Sequence, residues 1–140
     1  MKRYLLAVML LTMLAACAPA AQQGQEPSAP LIEYRRTGGI AGFDDHLVVT
    51  ADGQATLTRR NATSTFALDK AALAQLTAAL DQAGFAGLRA KYLPAGQGAD
   101  FFDYVITYQG HTVHTQDTAV PVALQPALAA LNQVISAQGQ

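Results

Sequence analysis

The chain has 140 residues, a formal net charge of −1 and a single cysteine. This length suits one domain with a sizeable core, and a lone cysteine excludes a disulfide within the chain. The basic residues form no cluster larger than two arginine pairs, Arg35 with Arg36 and Arg59 with Arg60, which argues against a nucleic-acid partner.

The first sixteen residues have the three parts of an export signal. Lys2 and Arg3 precede an apolar run, and small residues lead from this run to Cys17. The run is shorter than the roughly 20 apolar residues that a membrane-spanning helix needs. With Cys17 directly after Leu-Ala-Ala, the pattern resembles a bacterial lipoprotein signal, which implies cleavage before Cys17 and a lipid anchor on its sulfur. The alternative is an ordinary signal peptide with an incidental cysteine.

The anchored protein would lie on the cell membrane or the outer membrane and face the periplasm or the exterior. Cleavage after residue 16 would remove Lys2 and Arg3, leaving seven basic and ten acidic side chains, a formal charge of −3. Residues 17–30 are predicted to be the lipidated cysteine and a flexible tether, because their prolines and glutamines follow no helix or strand period. Residues 31–138 are predicted to form a single α+β domain.

The first half of this domain alternates apolar and polar residues, as half-buried strands do. Strands are predicted at residues 31–36, 46–50 and 54–59, followed by a short strand at residues 64–67. Asp52-Gly53 lies between two of these strands and tolerates the positive φ values of a tight hairpin.

The clearest helix pattern covers residues 69–83. Its apolar residues recur at steps of three and four: Leu73, Leu76 and Leu80. Asp69 suits the N-cap, and Gly84 suits the position after the C-cap. The pattern therefore predicts both ends of the helix.

The second half predicts a loop, a hairpin and a helix. Glycine and proline mark a loop at residues 92–100, strands follow at residues 102–108 and 111–115, and a helix is expected from about residue 125 to 137, with Pro126 at its first position. The resulting order is β-β-β-(β)-α-β-β-α. Since short turns join antiparallel strands, we expect one antiparallel sheet of four to five strands with two helices packed on one face.

The familiar catalytic and cofactor signatures do not occur in this sequence. His-Glu-x-x-His, Gly-x-Ser-x-Gly, Cys-x-x-Cys, the P-loop and the dinucleotide fingerprint are all missing. His111 and His114 are three residues apart on a predicted strand, so they are expected on opposite faces and not around one metal ion. Asp100, Asp103 and Asp117 would meet only if the last loop folded over the hairpin. The prediction is a non-enzymatic protein with no metal and no cofactor.

The glycine-rich stretch from Gly38 to Asp44 is the candidate for contact with a partner. Its three glycines allow close approach of a backbone, and an apolar side chain lies between them. The predicted contact residues are Gly39, Ile40, Gly42, Phe43 and Asp44. The alternative is a wide connection between strands in which Phe43 plugs the end of the core.

Five features together resemble the emfourin family: residues 39–43, the Asp52-Gly53 turn, the leucine helix ending at Gly84-Phe85, residues 103–106, and Pro121 followed by Leu124, Leu128 and Leu131. The resemblance covers residues 32–135. It implies a small α+β fold and inhibition of thermolysin-like zinc metallopeptidases. These enzymes favour a bulky apolar residue just after the bond they cut. From the chemistry of the loop alone, the hypothesis is that Ile40 or Phe43 occupies that pocket, with Asp44 or Asp45 adding a carboxylate near the metal.

The leading prediction is a lipid-anchored, non-enzymatic binding domain, with an exported thermolysin-like metallopeptidase as its partner. The second is a structural or accessory envelope lipoprotein that binds another protein or a small ligand through the sheet face left uncovered by the helices. An enzyme that depends on Asp103 or His114 is a third alternative.

Overall fold

The computed structural model describes residues 28–96 and 100–138, which contain seven strands and two α-helices. In chain order these are β1 (Pro30–Gly38), β2 (Phe43–Thr50), β3 (Gln54–Arg59), β4 (Ala62–Ala67), α1 (Lys70–Gln82), β5 (Lys91–Tyr92), β6 (Phe102–Tyr108), β7 (His111–Gln116) and α2 (Gln125–Ala137). The predicted signal peptide, Cys17 and most of the predicted tether lie outside the described residues. Of the described helices, none combines the length and the hydropathy that crossing a membrane requires.

All seven strands belong to one mixed sheet, in the order β4-β3-β2-β1-β6-β7-β5. Neighbouring strands are antiparallel except for β5, which runs parallel to β7. The α+β class is confirmed, but the predicted sheet of four to five antiparallel strands is too small. A two-residue strand such as β5 is too short to show the alternation by which strands are predicted.

The core lies on one face of this sheet, under both helices. Strand residues on this face are buried at every second position, including Ile32, Tyr34, Leu47, Val49, Leu57, Ile106 and Val113. The helices contribute Leu76, Leu80, Leu131 and Ile135. Within the part of the chain that the structure describes, every buried apolar residue lies between Ile32 and Ile135. A chain that begins at Ala18, and so lacks the cysteine, retains this whole core and is expected to fold.

The ends of the helices follow from capping chemistry. The Asp69 side chain accepts a hydrogen bond of 2.7 Å from the backbone N–H of Ala72, and Gly84 is left-handed with a φ of 62°. Both predicted caps of α1 are confirmed. In α2, Pro126 is at the second helical position and not the first, because Leu124 is the N-cap. Either position lacks an intrahelical partner for its N–H, so proline is tolerated at both.

Three tyrosines on the covered face make stability depend on pH. Burial raises the pKa of Tyr34, Tyr104 and Tyr108, and the carboxylates that accept hydrogen bonds from Tyr104 and Tyr108 raise it further. The unfolded chain ionises its phenols near about pH 10 while the folded chain keeps them protonated. The stabilisation is therefore complete below about pH 10 and is lost as the pH rises above it.

We expect the free energy of unfolding, measured by urea titration, to fall above about pH 10 by roughly 1.4 kcal/mol per pH unit from Tyr34 alone. Tyr34→Phe removes that titrating group, so its stability should decline less steeply with pH. A slope unchanged by this substitution would contradict the prediction.

Candidate functional site

The candidate site is the turn of residues 39–42, which joins β1 to β2. Gly38 pairs with Phe43 at its base, so the turn is tight. Gly38 has a φ of 106°, and a Cβ there would lie 2.3 Å from the carbonyl oxygen of Phe101. Gly39 and Gly42 are also left-handed, with φ values of 67° and 60°. Glycine is required for this backbone path, because other residues would be strained or would clash.

Hydrogen bonds hold the turn in place. Its first and last residues are joined by a 3.0 Å bond from the N–H of Gly42 to the carbonyl of Gly39. Nη2 of Arg60, which follows β3, donates to the carbonyl oxygens of Ala41 at 2.5 Å and Gly42 at 3.4 Å. The turn is therefore held by a hydrogen bond between its own residues and by Arg60, which lies between β3 and β4.

Ile40 is the side chain that projects from this turn, with 89% of its surface exposed. Phe43 is 42% exposed. Its ring centroid lies 5.5 Å from that of Phe102, and the Arg36 guanidinium lies 5.1 Å from the Phe43 ring. Phe43 therefore braces the base of the turn at the surface instead of plugging the core.

The two aspartates after Phe43 have different surroundings. Asp44 pairs with Arg35 at 3.1 Å, and both side chains are about half exposed. Asp45 is 3% exposed and pairs with Arg36 at 2.5 Å and Arg59 at 3.2 Å. Asp45 is thus held inside the protein, and of the two only Asp44 is placed to face a partner.

The Asp45 ion pairs belong to a network that ties the strands to α2. Arg36 donates through Nη1 to the Asn132 side-chain oxygen at 3.1 Å, and the Tyr34 hydroxyl donates to the same oxygen at 2.8 Å. Arg59 donates to the carbonyl of Ile135 near the end of α2. These bonds fix the strands beneath the turn to the last turns of the helix.

Sequence reasoning missed this arginine cluster. The register places Asp45 opposite Arg36 on one side and opposite Arg59 on the other. The two arginine pairs, which are distant in the chain, therefore meet at one end of the sheet. The signal available in the sequence was two arginines at inward-facing positions of the first and third predicted strands and an aspartate directly before the second, which begins earlier in the structure, at Phe43.

A cleft of about 470 Å³ lies beside the turn and above this network. Its walls combine charged side chains with an aromatic ring and the backbone of the turn. The charged residues that line it are Arg36, Asp44, Asp45, Arg59 and Arg60. The candidate contact residues and this cleft therefore form one continuous surface.

The other candidate groups do not assemble into a centre. His111 lies on the covered face and His114 on the uncovered face, which confirms the prediction that they point apart. Asp103 binds His114 at 2.9 Å, while Asp117 accepts a hydrogen bond from Tyr104 on the covered face. Within residues 28–96 and 100–138, histidines, cysteines and carboxylates form no group of three or more that could hold a metal ion.

The uncovered sheet face is polar, and many of its side chains bind one another across strands. Its pairs are His46 with Glu33 at 2.7 Å, Arg35 with Asp44, His114 with Asp103, Thr58 with Thr63, and Thr107 with Thr112. These contacts are typical of a solvated face.

Comparisons of the chain with models of known protein families and with curated protein sequences give no match. The resemblance to the emfourin family stays a prediction.

Proposed function

We propose that this chain is a lipid-anchored, non-enzymatic envelope protein that binds another protein through the turn of residues 39–42. We further propose that this partner is an exported thermolysin-like metallopeptidase, which the turn inhibits. The observation that carries the proposal is an isoleucine with 89% exposure at the tip of a backbone fixed by hydrogen bonds.

Burial of Ile40 in a partner's pocket supplies a favourable term of about 1.5–3 kcal/mol. A mobile loop would lose part of that gain, because ordering one residue costs roughly 1–2 kcal/mol. Here the bonds from Arg60 and between Gly42 and Gly39 already hold the backbone in place. Preorganisation of this kind keeps the cost of binding low.

The conformation of the turn suits an inhibitor better than a substrate. The resemblance implies an apolar pocket in the enzyme just beyond the cleaved bond, and Ile40 matches such a pocket in chemistry. Left-handed Gly39 and Gly42 bend the chain on both sides of Ile40, and pairing of Gly38 with Phe43 closes the base. The peptide bonds around Ile40 therefore lie in a tight turn and do not form the extended segment that a substrate presents.

The anchor belongs to the same proposal. Lipid on Cys17 would hold the protein on the cell membrane or the outer membrane, and a tether of about a dozen residues could extend to roughly 40 Å. A domain at that distance could meet exported enzymes while it remains bound to the envelope.

The alternative role, an accessory lipoprotein that binds through its uncovered sheet face, has less support. That face carries few apolar groups, and its charged side chains are already paired with one another. A partner would have to replace those contacts before it gained new ones.

The test is to titrate a thermolysin-like enzyme with the chain that begins at Ala18. We expect peptidase activity to fall as the chain is added at micromolar concentration or below. Undiminished activity at micromolar chain would contradict the inhibitor proposal. Cross-linking of the tethered protein in cells that recovered a stable envelope complex without a peptidase would favour the accessory role.

A further inference from the structure

The cleft beside the turn has an excess of positive charge at its surface, in a protein whose net charge is negative. Three of its lining residues are arginines and two are aspartates. Asp45 is shared between Arg36 and Arg59, and Asp44 is paired with Arg35. Among the described residues, Arg60 forms no ion pair with a carboxylate.

Arg60 also has unused hydrogen-bonding capacity. A guanidinium carries five N–H donors in a planar fork. Both described bonds of the Arg60 side chain use Nη2, which donates to the turn carbonyls of Ala41 and Gly42. Nε and Nη1 are therefore left for another acceptor, while the bonds through Nη2 hold the fork at the edge of the cleft.

The other two arginines of the cleft, Arg36 and Arg59, contribute positive electrostatic potential without competing with Arg60 for the same acceptor. Asp45 neutralises one of their two charges, and Arg59 also satisfies a carbonyl at the end of α2, where the helix dipole is negative. One positive charge of this partly buried group stays uncompensated. The Phe43 ring borders the same cleft, so part of its wall is apolar. Electrostatic interactions are stronger in such surroundings than in bulk water.

We propose that this cleft is a carboxylate-binding site, in which Arg60 is the principal ligand for an acidic side chain or a terminal carboxylate of the protein that docks on the turn. The identity of the occupant rests on the proposed function, because the cleft and the Ile40 turn share one surface. A planar carboxylate matches the guanidinium fork in geometry and charge. Partner proteins with a carboxylate next to an apolar pocket would be selected over those without one.

Binding is measured by titrating the chain that begins at Ala18 with three peptides at constant ionic strength, following its backbone amides by NMR. Acetyl-Ala-Glu-Ala-amide offers a side-chain carboxylate, acetyl-Ala-Ala-Ala a terminal one, and acetyl-Ala-Ala-Ala-amide neither. We expect saturable shifts at Ala41 and Gly42 with at least one charged peptide and none with the neutral one. The two charged peptides distinguish the two sources of the carboxylate.

Arg60→Gln should weaken this binding about tenfold or more, because it removes the positive charge and the planar guanidinium. The glutamine side-chain amide can still donate a hydrogen bond to the turn carbonyls. Arg89→Gln, at an exposed arginine that stacks on Tyr92 elsewhere, is the matched control and should bind as the parent does. If Arg60→Gln fails to fold, Arg60→Lys replaces it and should bind with intermediate strength. Equal shifts with the neutral peptide, or unchanged affinity in the Arg60 variant, would overturn the proposal.

Measuring both peptide binding and peptidase inhibition tests the carboxylate site and the inhibitor role independently. Carboxylate binding that depends on Arg60, without inhibition of the peptidase, would support the cleft and contradict the inhibitor role. Inhibition that is equally strong in Arg60→Gln, without carboxylate binding, would contradict the cleft and support the inhibitor role.

Discussion

Replacing Asp45 with asparagine is expected to lower the free energy of unfolding by about 3 kcal/mol. The substitution keeps the shape of the side chain but removes the negative charge between Arg36 and Arg59. Two positive charges would then lie close together at the end of the core. Breaking a buried ion pair typically costs about 3–5 kcal/mol, and the lower value applies because Arg59 is one-third exposed.

Asp44→Asn is the matched control for this prediction. It removes the neighbouring carboxylate, whose pair with Arg35 is about half exposed, and should cost less than about 1 kcal/mol. Both variants are compared with the parent by urea unfolding of the chain that begins at Ala18, at neutral pH. Equal losses of stability in the two variants would mean that the Asp45 network does not hold the turn end of the sheet.

Much of the scaffold could be predicted because local chemistry determines it. β3 and β6 start and end at the predicted residues, and α1 begins after Asp69 and ends before Gly84 as its caps indicate. These elements have clear periods and capping residues, so each can be recognised from a short window of sequence.

The arginine network could not be predicted in this way, because it depends on register between strands. Arg36 and Arg59 meet Asp45 only after β1, β2 and β3 are aligned. The short β5 depends in the same way on pairing with β7 and has no periodic pattern of its own.

The glycines indicate the candidate turn in the sequence, but they do not indicate how exposed the side chains of Ile40 and Phe43 are. Composition left open whether Phe43 enters the core or meets a partner, since an aromatic residue at a strand end suits both. The contacts of Phe43 with Phe102 and Arg36 place its ring at the surface and leave Ile40 as the projecting residue. That distinction required tertiary contacts.

Ile40→Asp is expected to weaken binding of the metallopeptidase about a hundredfold or more while leaving the fold intact. Ile40 makes little contact with the rest of the chain, so a polar residue at this position costs the domain almost nothing. In the complex, however, a carboxylate would replace an apolar side chain inside an apolar pocket. An unpaired charge in such a pocket is strongly unfavourable, and about 2.7 kcal/mol already corresponds to a hundredfold change in affinity.

Val122→Asp provides the matched control, because Val122 is also a large apolar residue, is 80% exposed and lies outside the turn. The same substitution there adds the same charge to the surface without touching residues 39–42. Any general effect of a new carboxylate on the enzyme should therefore appear in both variants.

The most direct measurement is the inhibition constant of the parent chain, Ile40→Asp and Val122→Asp against one thermolysin-like metallopeptidase, with circular dichroism confirming that all three are folded. We expect equal inhibition by the parent and Val122→Asp, and about a hundredfold weaker inhibition by Ile40→Asp. Equal inhibition constants for all three chains, or no inhibition by the parent, would contradict inhibition through the turn of residues 39–42.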